Sequence, residues 1–242
     1  MAEDQKKTVL VISAHSGDFV WRAGGAIALY ASRGWKVKTI CLSFGERGES
    51  AKLWKESGMT LERVRASRRE EALAAAEVLG GEVEFFDCGD YPIHFTAAHL
   101  DRLVEIYRSI QPRFVLTHSL EDPYNFDHPL AARIAQEARI VAQALGHNPG
   151  AKVLGAPPVF LFEPHQTEQC NWKPQILLDI TLVWDKKRKA FELMAAQEYL
   201  WEYYTRVALN RGVQAARNSE KKHIKYAEAY QRVFPQVAEE LE

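Results

Sequence analysis

His15 and Asp18 stand three residues apart where a β-branched run, TVLVIS, gives way to AHSGDF. An imidazole and a carboxylate so spaced in a tight turn can reach one ion. One histidine more, from another loop, makes a two-histidine, one-carboxylate set that leaves positions open for water or substrate. His128 is the best candidate for that third ligand, because it starts a helix directly after the polar loop DPYNF. Asp127 precedes it and can orient a ligand through its other ring nitrogen. The ion expected is zinc, with iron or cobalt as alternatives, since availability rather than ligand type separates them. The competing reading of Asp18 is a plain helix N-cap.

The elements that must carry these residues follow from hydrophobic period. KTVLVISA, KVKTICLSF, VEFFDC, RFVLTHS and PVFLFEP read as strands. GGAIALYASRG, LERVRASRREEALAAAEVLGG, AAHLDRLVEIYRSI and DHPLAARIAQEARIVAQAL read as helices between them. LLDITLVWDKKRKAFELMAAQEYL and KKHIKYAEAYQRVF are expected to close the chain with more helix. The β-α alternation predicts an α/β, Rossmann-like, mostly parallel sheet with helices on both faces, in a single domain over residues 1–242. In such sheets ligands sit at the carboxyl ends of the strands. Four separate loops place chemistry-bearing residues there: His15 and Asp18, Gly45 to Glu49, Asp122 to His128, and Glu163 with His165.

Composition narrows the partners. A net charge of −1 gives no electrostatic case for nucleic acid or an anionic membrane. No apolar run approaches the roughly 18 residues of a membrane helix. Three widely spaced cysteines without a CxxC pair read as reduced thiols of a cytoplasmic protein. No GxGxxG, GxxxxGK[ST] or GxSxG follows a strand, which sets aside nucleotide-loop and serine-elbow chemistry.

Three stretches together, AHSGD after a strand, RREEALAAAEVLG on a helix and DPYNFDHPLAA later, resemble the PIG-L/LmbE family of zinc-dependent deacetylases. That family pairs a Rossmann-like fold with an AHPDD turn and an HPDH turn. The resemblance implies His15, Asp18 and His128 as metal ligands, and Arg68 with Glu71 as the R-x-x-E helix motif that shapes the site. Two departures matter. The acid that serves these deacetylases as general base is Gly17 here, and the first histidine of HPDH is Asn125. Loss of a general base typically costs about 10²–10⁴-fold.

AHSGDFVWRAGGAIALY, CLSFGERGESAKLW, FEPHQTEQCNW and QEYLWEYYTRVALNRGVQAARN are similar to a hydratase branch of the family, which adds water across a carbon–carbon double bond of a tricarboxylate. That similarity implies Glu49 and His165 as the acid/base pair. Glu49 could instead cap the following helical segment, and Glu46 is its rival, since the GERG turn could use either. His165 could be a structural loop residue, and His118 a ligand-orienting or a merely buried histidine. A polycarboxylate small molecule needs cationic and polar partners, for which Arg47, Arg68, Asn125 and Asp127 are the candidates. The basic stretch with Arg206, Arg211 and Arg217 reads first as a solvated face and second as a clamp over a site. The aromatic run 199–204 keeps a homo-oligomer in view. The alternatives to a hydratase are a metal-dependent deacetylase using Glu49 as substitute base, and a catalytically inert metal-binding protein.

Overall fold

The computed structural model describes residues 7–239. At its centre lies β1 (Thr8–Ser13), buried at every position. Val9 and Val11 face one core, Leu10 and Ile12 the other. A strand apolar on both sides is what a helix-covered parallel sheet requires. β2 (Lys36–Cys41) and β4 (Phe114–Thr117) flank β1, and β3 (Glu82–Phe85) and β5 (Val159–Phe162) extend the sheet outward, all parallel.

Helices cover both faces. α1 (Asp18–Ser32), α3 (Leu61–Leu79), α6 (Trp184–Leu193) and α7 (Leu200–Arg217) bury their apolar stripes in the core that Val9 and Val11 face, α6 packing on α1 and α3, and α7 on the strands Ile176–Asp179 and Ala227–Arg232. α4 (Ala97–Ile110) and α5 (Asp127–Gln143) close the opposite face. A single turn of helix, α2 (Ala51–Trp54), lies in the loop after β2. α3 starts where sequence capping rules place it, with the Thr60 side chain accepting from the Arg63 N–H.

The end of the chain differs from expectation. KKHIKYAEAYQRVF is not helical there. It contains β7 (Ala227–Arg232), antiparallel to both β5 and a further strand, β6 (Ile176–Asp179), in the order β3-β2-β1-β4-β5-β7-β6. The residues expected as helix from Leu177 onward begin in β6, pass a 3₁₀ turn at Thr181–Val183, and turn helical only in α6, with α7 following from Leu200. Local propensity misleads here because AEAYQR is rich in helix formers. Its period-2 pattern is carried by alanine alternating with Glu228 and Tyr230, and packing overrides propensity.

β1 and β4 are neighbours, yet the chain grows the sheet to one side after β1 and to the other after β4. The crevice at their carboxyl ends is the switch point where α/β sheets bind ligands.

Candidate metal centre and active site

The turn after β1 holds His15 and Asp18 in contact. His15 Nδ1 lies 3.0 Å from Asp18 Oδ2, and that oxygen also accepts the His15 N–H. His15 Nε2 turns away to Asp127 Oδ2 at 3.3 Å. Asp127 is fixed in turn by the backbone N–H groups of Tyr91 and Ile93, at 3.0 Å each. The imidazole is therefore oriented from behind, with Nδ1 toward Asp18.

His128, at the start of α5, shows the same logic with its nitrogens exchanged. Nδ1 bonds Asp122 Oδ2 at 2.8 Å, and Nε2 lies 3.4 Å from Asp18 Oδ1. Buried Nε2 has no hydrogen-bond partner among the described residues. A carboxylate behind one ring nitrogen and a bare second nitrogen is the arrangement of a metal-binding histidine. His118 stacks on the His128 ring at 4.2 Å, and its Nε2 accepts the Ala14 N–H at 2.9 Å. His118 is thus a buried, hydrogen-bonded wall of the site.

Glu49 completes the group. Candidate ligand atoms of His15, Asp18, Glu49 and His128 all lie within 4.8 Å of one another. Glu49 Oε1 is 3.2 Å from His15 Nδ1 and 3.8 Å from His128 Nε2. Sequence reasoning kept Glu49 for proton transfer alone and did not foresee its place among the ligand atoms. The loop that delivers it turns at Gly45 with φ +70°, where a side chain would also crowd His15 and Glu49. Asp90 then accepts the N–H groups of Arg47 and Gly48 and pins the loop. Glu46, the rival acid, turns the other way: its carboxylate accepts from the Phe44 N–H and from Arg65.

The electrostatics suit a cation. Burial disfavours the His15 imidazolium, but the Glu49 charge and the Asp127 and Asp18 contacts outweigh it and hold His15 well above the ordinary histidine value. Burial and Asp18 act likewise on His128, with Asp18 and Asp122 prevailing to raise it. Burial opposes ionisation of Asp18, yet His128 and His118 keep it well below the usual carboxylate range. Protons and a divalent ion compete for the same nitrogens.

A cavity of about 240 Å³ opens beside this group. Asp18, Glu49, Asp122, Asn125, His128 and His165 all line it. Asn125 donates to Glu49 Oε1 at 3.2 Å. His165 is half-buried, stacks on Tyr203 at 4.0 Å, and its ring nitrogens have no hydrogen bond among the described residues. Burial and the neighbouring Arg22 charge push its pKa down. Tyr91, on the rim, is pushed up to about 12 by burial.

Two expected cationic partners lie elsewhere. Arg47 points to the Asp90 carbonyl at 3.0 Å, and Arg68 is fully buried between Glu71 and Gln197, each at 2.6 Å. Neither lines the cavity. Arg206 pairs with Glu202 on the surface, and Arg211 forks onto Glu163. The guanidinium that does line the cavity is Arg22, which sequence reasoning missed. Its Nε faces Asp18 Oδ1 at 3.4 Å and its Nη1 donates to the Glu163 carbonyl at 2.8 Å. Nη2 is left without a partner among the described residues. Its i, i+4 spacing from Asp18 was the available signal.

The family model for GlcNAc-PI de-N-acetylase (PIG-L) matches residues 10–139, more than half of the chain. The chain belongs to the PIG-L family. Within it, the 4-oxalmesaconate hydratase of Pseudomonas putida is 63% identical over 98% of this chain and 93% of that protein. The crystal structure of GalB, the 4-carboxy-2-hydroxymuconate hydratase of Pseudomonas putida, superposes with a TM-score of 0.95 at 63% identity, covering 98% of this chain and all of that one. The N,N'-diacetylchitobiose deacetylase of Pyrococcus horikoshii shares the fold at TM-score 0.76 and 24% identity, over 94% of this chain and 84% of that one. Among the described residues no helix is long and apolar enough to cross a membrane.

Proposed function

We propose that this PIG-L family protein is a divalent-metal-dependent hydratase. It adds water to 4-carboxy-2-hydroxymuconate, the enol form of 4-oxalomesaconate, to give 4-carboxy-4-hydroxy-2-oxoadipate in gallate and protocatechuate degradation. The observation that carries the reading is a complete ligand group beside a glycine at position 17: the metal set is kept and the deacetylase base is not. The high identity to the Pseudomonas putida hydratase, in sequence and in solved structure, supports the substrate. His15, Asp18 and His128 hold the ion, zinc first, and it supplies Lewis-acid polarisation of an oxygen in the cavity.

Glu49 and His165 line the same cavity and divide the two proton transfers, one from water and one to carbon. Arg22 Nη2 offers a charged donor to a substrate carboxylate, and Asn125 a neutral one. Asp127 acts through His15 rather than on substrate. Exposed Tyr124, Phe126 and Tyr199 near the mouth support assembly of copies over this face, and three buried free cysteines suit the cytoplasm.

The test follows the ultraviolet absorbance of 4-carboxy-2-hydroxymuconate with metal-loaded protein. The native chain removes the conjugated absorbance. Glu49→Gln and His165→Ala each slow that loss by about 10²–10⁴-fold. No loss with a fully metallated native chain, alongside release of acetate from N-acetyl sugars, would replace the hydratase with a deacetylase.

A further inference from the structure

Position 17 is not simply vacant. A Cβ built on Gly17 would lie 2.6 Å from Gln197 Oε1, 2.8 Å from Trp21 Nε1 and 3.0 Å from Arg68 Nη2. The backbone there is ordinary right-handed helix, φ −93° and ψ −28°, so conformation does not demand glycine. Space does. The nearest atom in that volume belongs to the side-chain amide of Gln197, which is 3% exposed and comes from the 3₁₀ turn Ala195–Gln197 between α6 and α7, with the Trp21 indole and the Arg68 guanidinium beside it.

That amide can be oriented only one way. Arg68 Nη2, donor only, sits 2.6 Å from Gln197 Oε1. The Gln197 Nε2 group then faces Glu49 Oε2 at 3.4 Å, where a carboxylate needs a donor. A flipped amide would set two donors and two acceptors against each other. The turn itself is gripped from α3: Glu71 binds Arg68 Nη1 at 2.6 Å through Oε2 and the Ala196 N–H at 2.8 Å through Oε1. A rigid line therefore runs from α3 through Arg68 and Gln197 to Glu49.

We propose that Gln197 is a positioning residue of this site: its amide, fixed by Arg68, holds the Glu49 carboxylate in its reacting orientation, and Gly17 is glycine because that amide needs the space. The inference rests on the hydratase reading for the reaction it serves. Its steric half stands apart from it.

Gln197→Met keeps the shape and removes both hydrogen bonds. It should lower kcat by roughly 10–100-fold, as loss of an orienting partner does. KM should stay within about threefold and metal content unchanged, because the orientation of Glu49 rather than binding is disturbed. Gly17→Ala should lower kcat by a similar factor. The double variant Gly17→Ala/Gln197→Met should be no slower than the worse single one, since both disturb the same group. In parallel, Gly17→Ala should lower the Tm by roughly 4–8 °C with Gln197 present, and by measurably less in Gln197→Ala, where only the Trp21 and Arg68 contacts remain. Wild-type kcat in Gln197→Met, or losses that multiply in the double variant, overturns the role of Gln197. A native chain that hydrates nothing overturns the hydratase reading instead, and the thermal cycle then decides the pairing of Gly17 with Gln197.

Discussion

Glu228 tests whether β7, the strand that looks helical in sequence, is structurally committed where it lies. Its side chain is 5% exposed and accepts four donors: the Gly25 and Ala26 N–H groups of α1, the Tyr230 hydroxyl, each at 2.7 Å, and the Lys187 ammonium of α6. Lys187 is itself 2% exposed. Glu228→Ala leaves that ammonium buried without a counter-ion, at a cost of about 3–5 kcal/mol. The lost acceptor for α1 adds about 1–2 kcal/mol, less than full additivity because relaxation and water entry are shared. The sum is roughly 4–7 kcal/mol, a large part of a typical folding stability. For a chain of this length it lowers the Tm by roughly 10–20 °C. Glu228→Gln keeps one oxygen as acceptor but turns the other, which accepts an α1 N–H, into an NH2 donor, so it loses the charge and one acceptor and its Tm falls in between. Adding Lys187→Met to Glu228→Gln removes the unpaired charge and should recover the part of the loss that comes from it, leaving the mismatched α1 N–H. Thermal and urea melts of the four proteins decide it. A Glu228→Ala melt within 3 °C of native, at the ~2–4 °C per kcal/mol expected for this size, would refute the energetic reasoning.

Two further outcomes follow from the metal centre. Asp122→Asn removes the carboxylate behind His128 Nδ1 and should weaken zinc affinity by roughly 10–100-fold, read by chelator competition, with the fold retained. His15 and His128 have raised pKa values in the metal-free protein, so their contribution to its stability is present below the unfolded histidine value and lost as pH rises through the folded one. Metal must displace those protons, so affinity moves the opposite way and falls as pH falls. The increase in Tm on adding zinc should therefore be larger at pH 8 than at pH 6, and an equal increase at both would contradict the assignment of the two ligands.

Legibility in the sequence tracked how local the cause was. The parallel half of the sheet could be read because β1 to β5 are short apolar runs buried on both faces, a pattern that depends little on neighbours. β7 could not, because what makes AEAYQR a strand is the slot between β5 and β6 and the donors that meet Glu228 there. At the site, His15, Asp18 and His128 were legible because each follows a strand directly or opens a helix. Spacing pointed to Glu49, and resemblance gave its role, but its contact with the histidines is a matter of loop geometry set by Gly45 and Asp90. Arg47 and Arg68 were chosen for charge and nearness in sequence, and neither property tells which way a guanidinium points. Gln197 opens QEYLWEYY, one of the stretches similar to the hydratase branch, but nothing there singled it out, since it is neutral and 129 residues from the arginine that holds it.

The departure at position 17 gains meaning from where the acid reappears. A base at position 17 would share one tight turn with His15 and Asp18, and its place relative to the ion would be fixed by that turn alone. Glu49 stands on a different loop, pinned from below by Asp90 and from the side by Asn125 and Gln197. Its carboxylate is set by those contacts together with His15 Nδ1, 3.2 Å away, so the two loops meet at the site while each keeps its own braces. In the proposed hydration the proton-moving group must serve a carbon framework bearing several carboxylates, with Arg22 and His165 on the same wall. Moving the acid from the ligand turn to another loop gives the proposed proton-moving group braces that the ligand turn does not supply. A scaffold that keeps its metal set can change its reaction in this way without rebuilding the sheet.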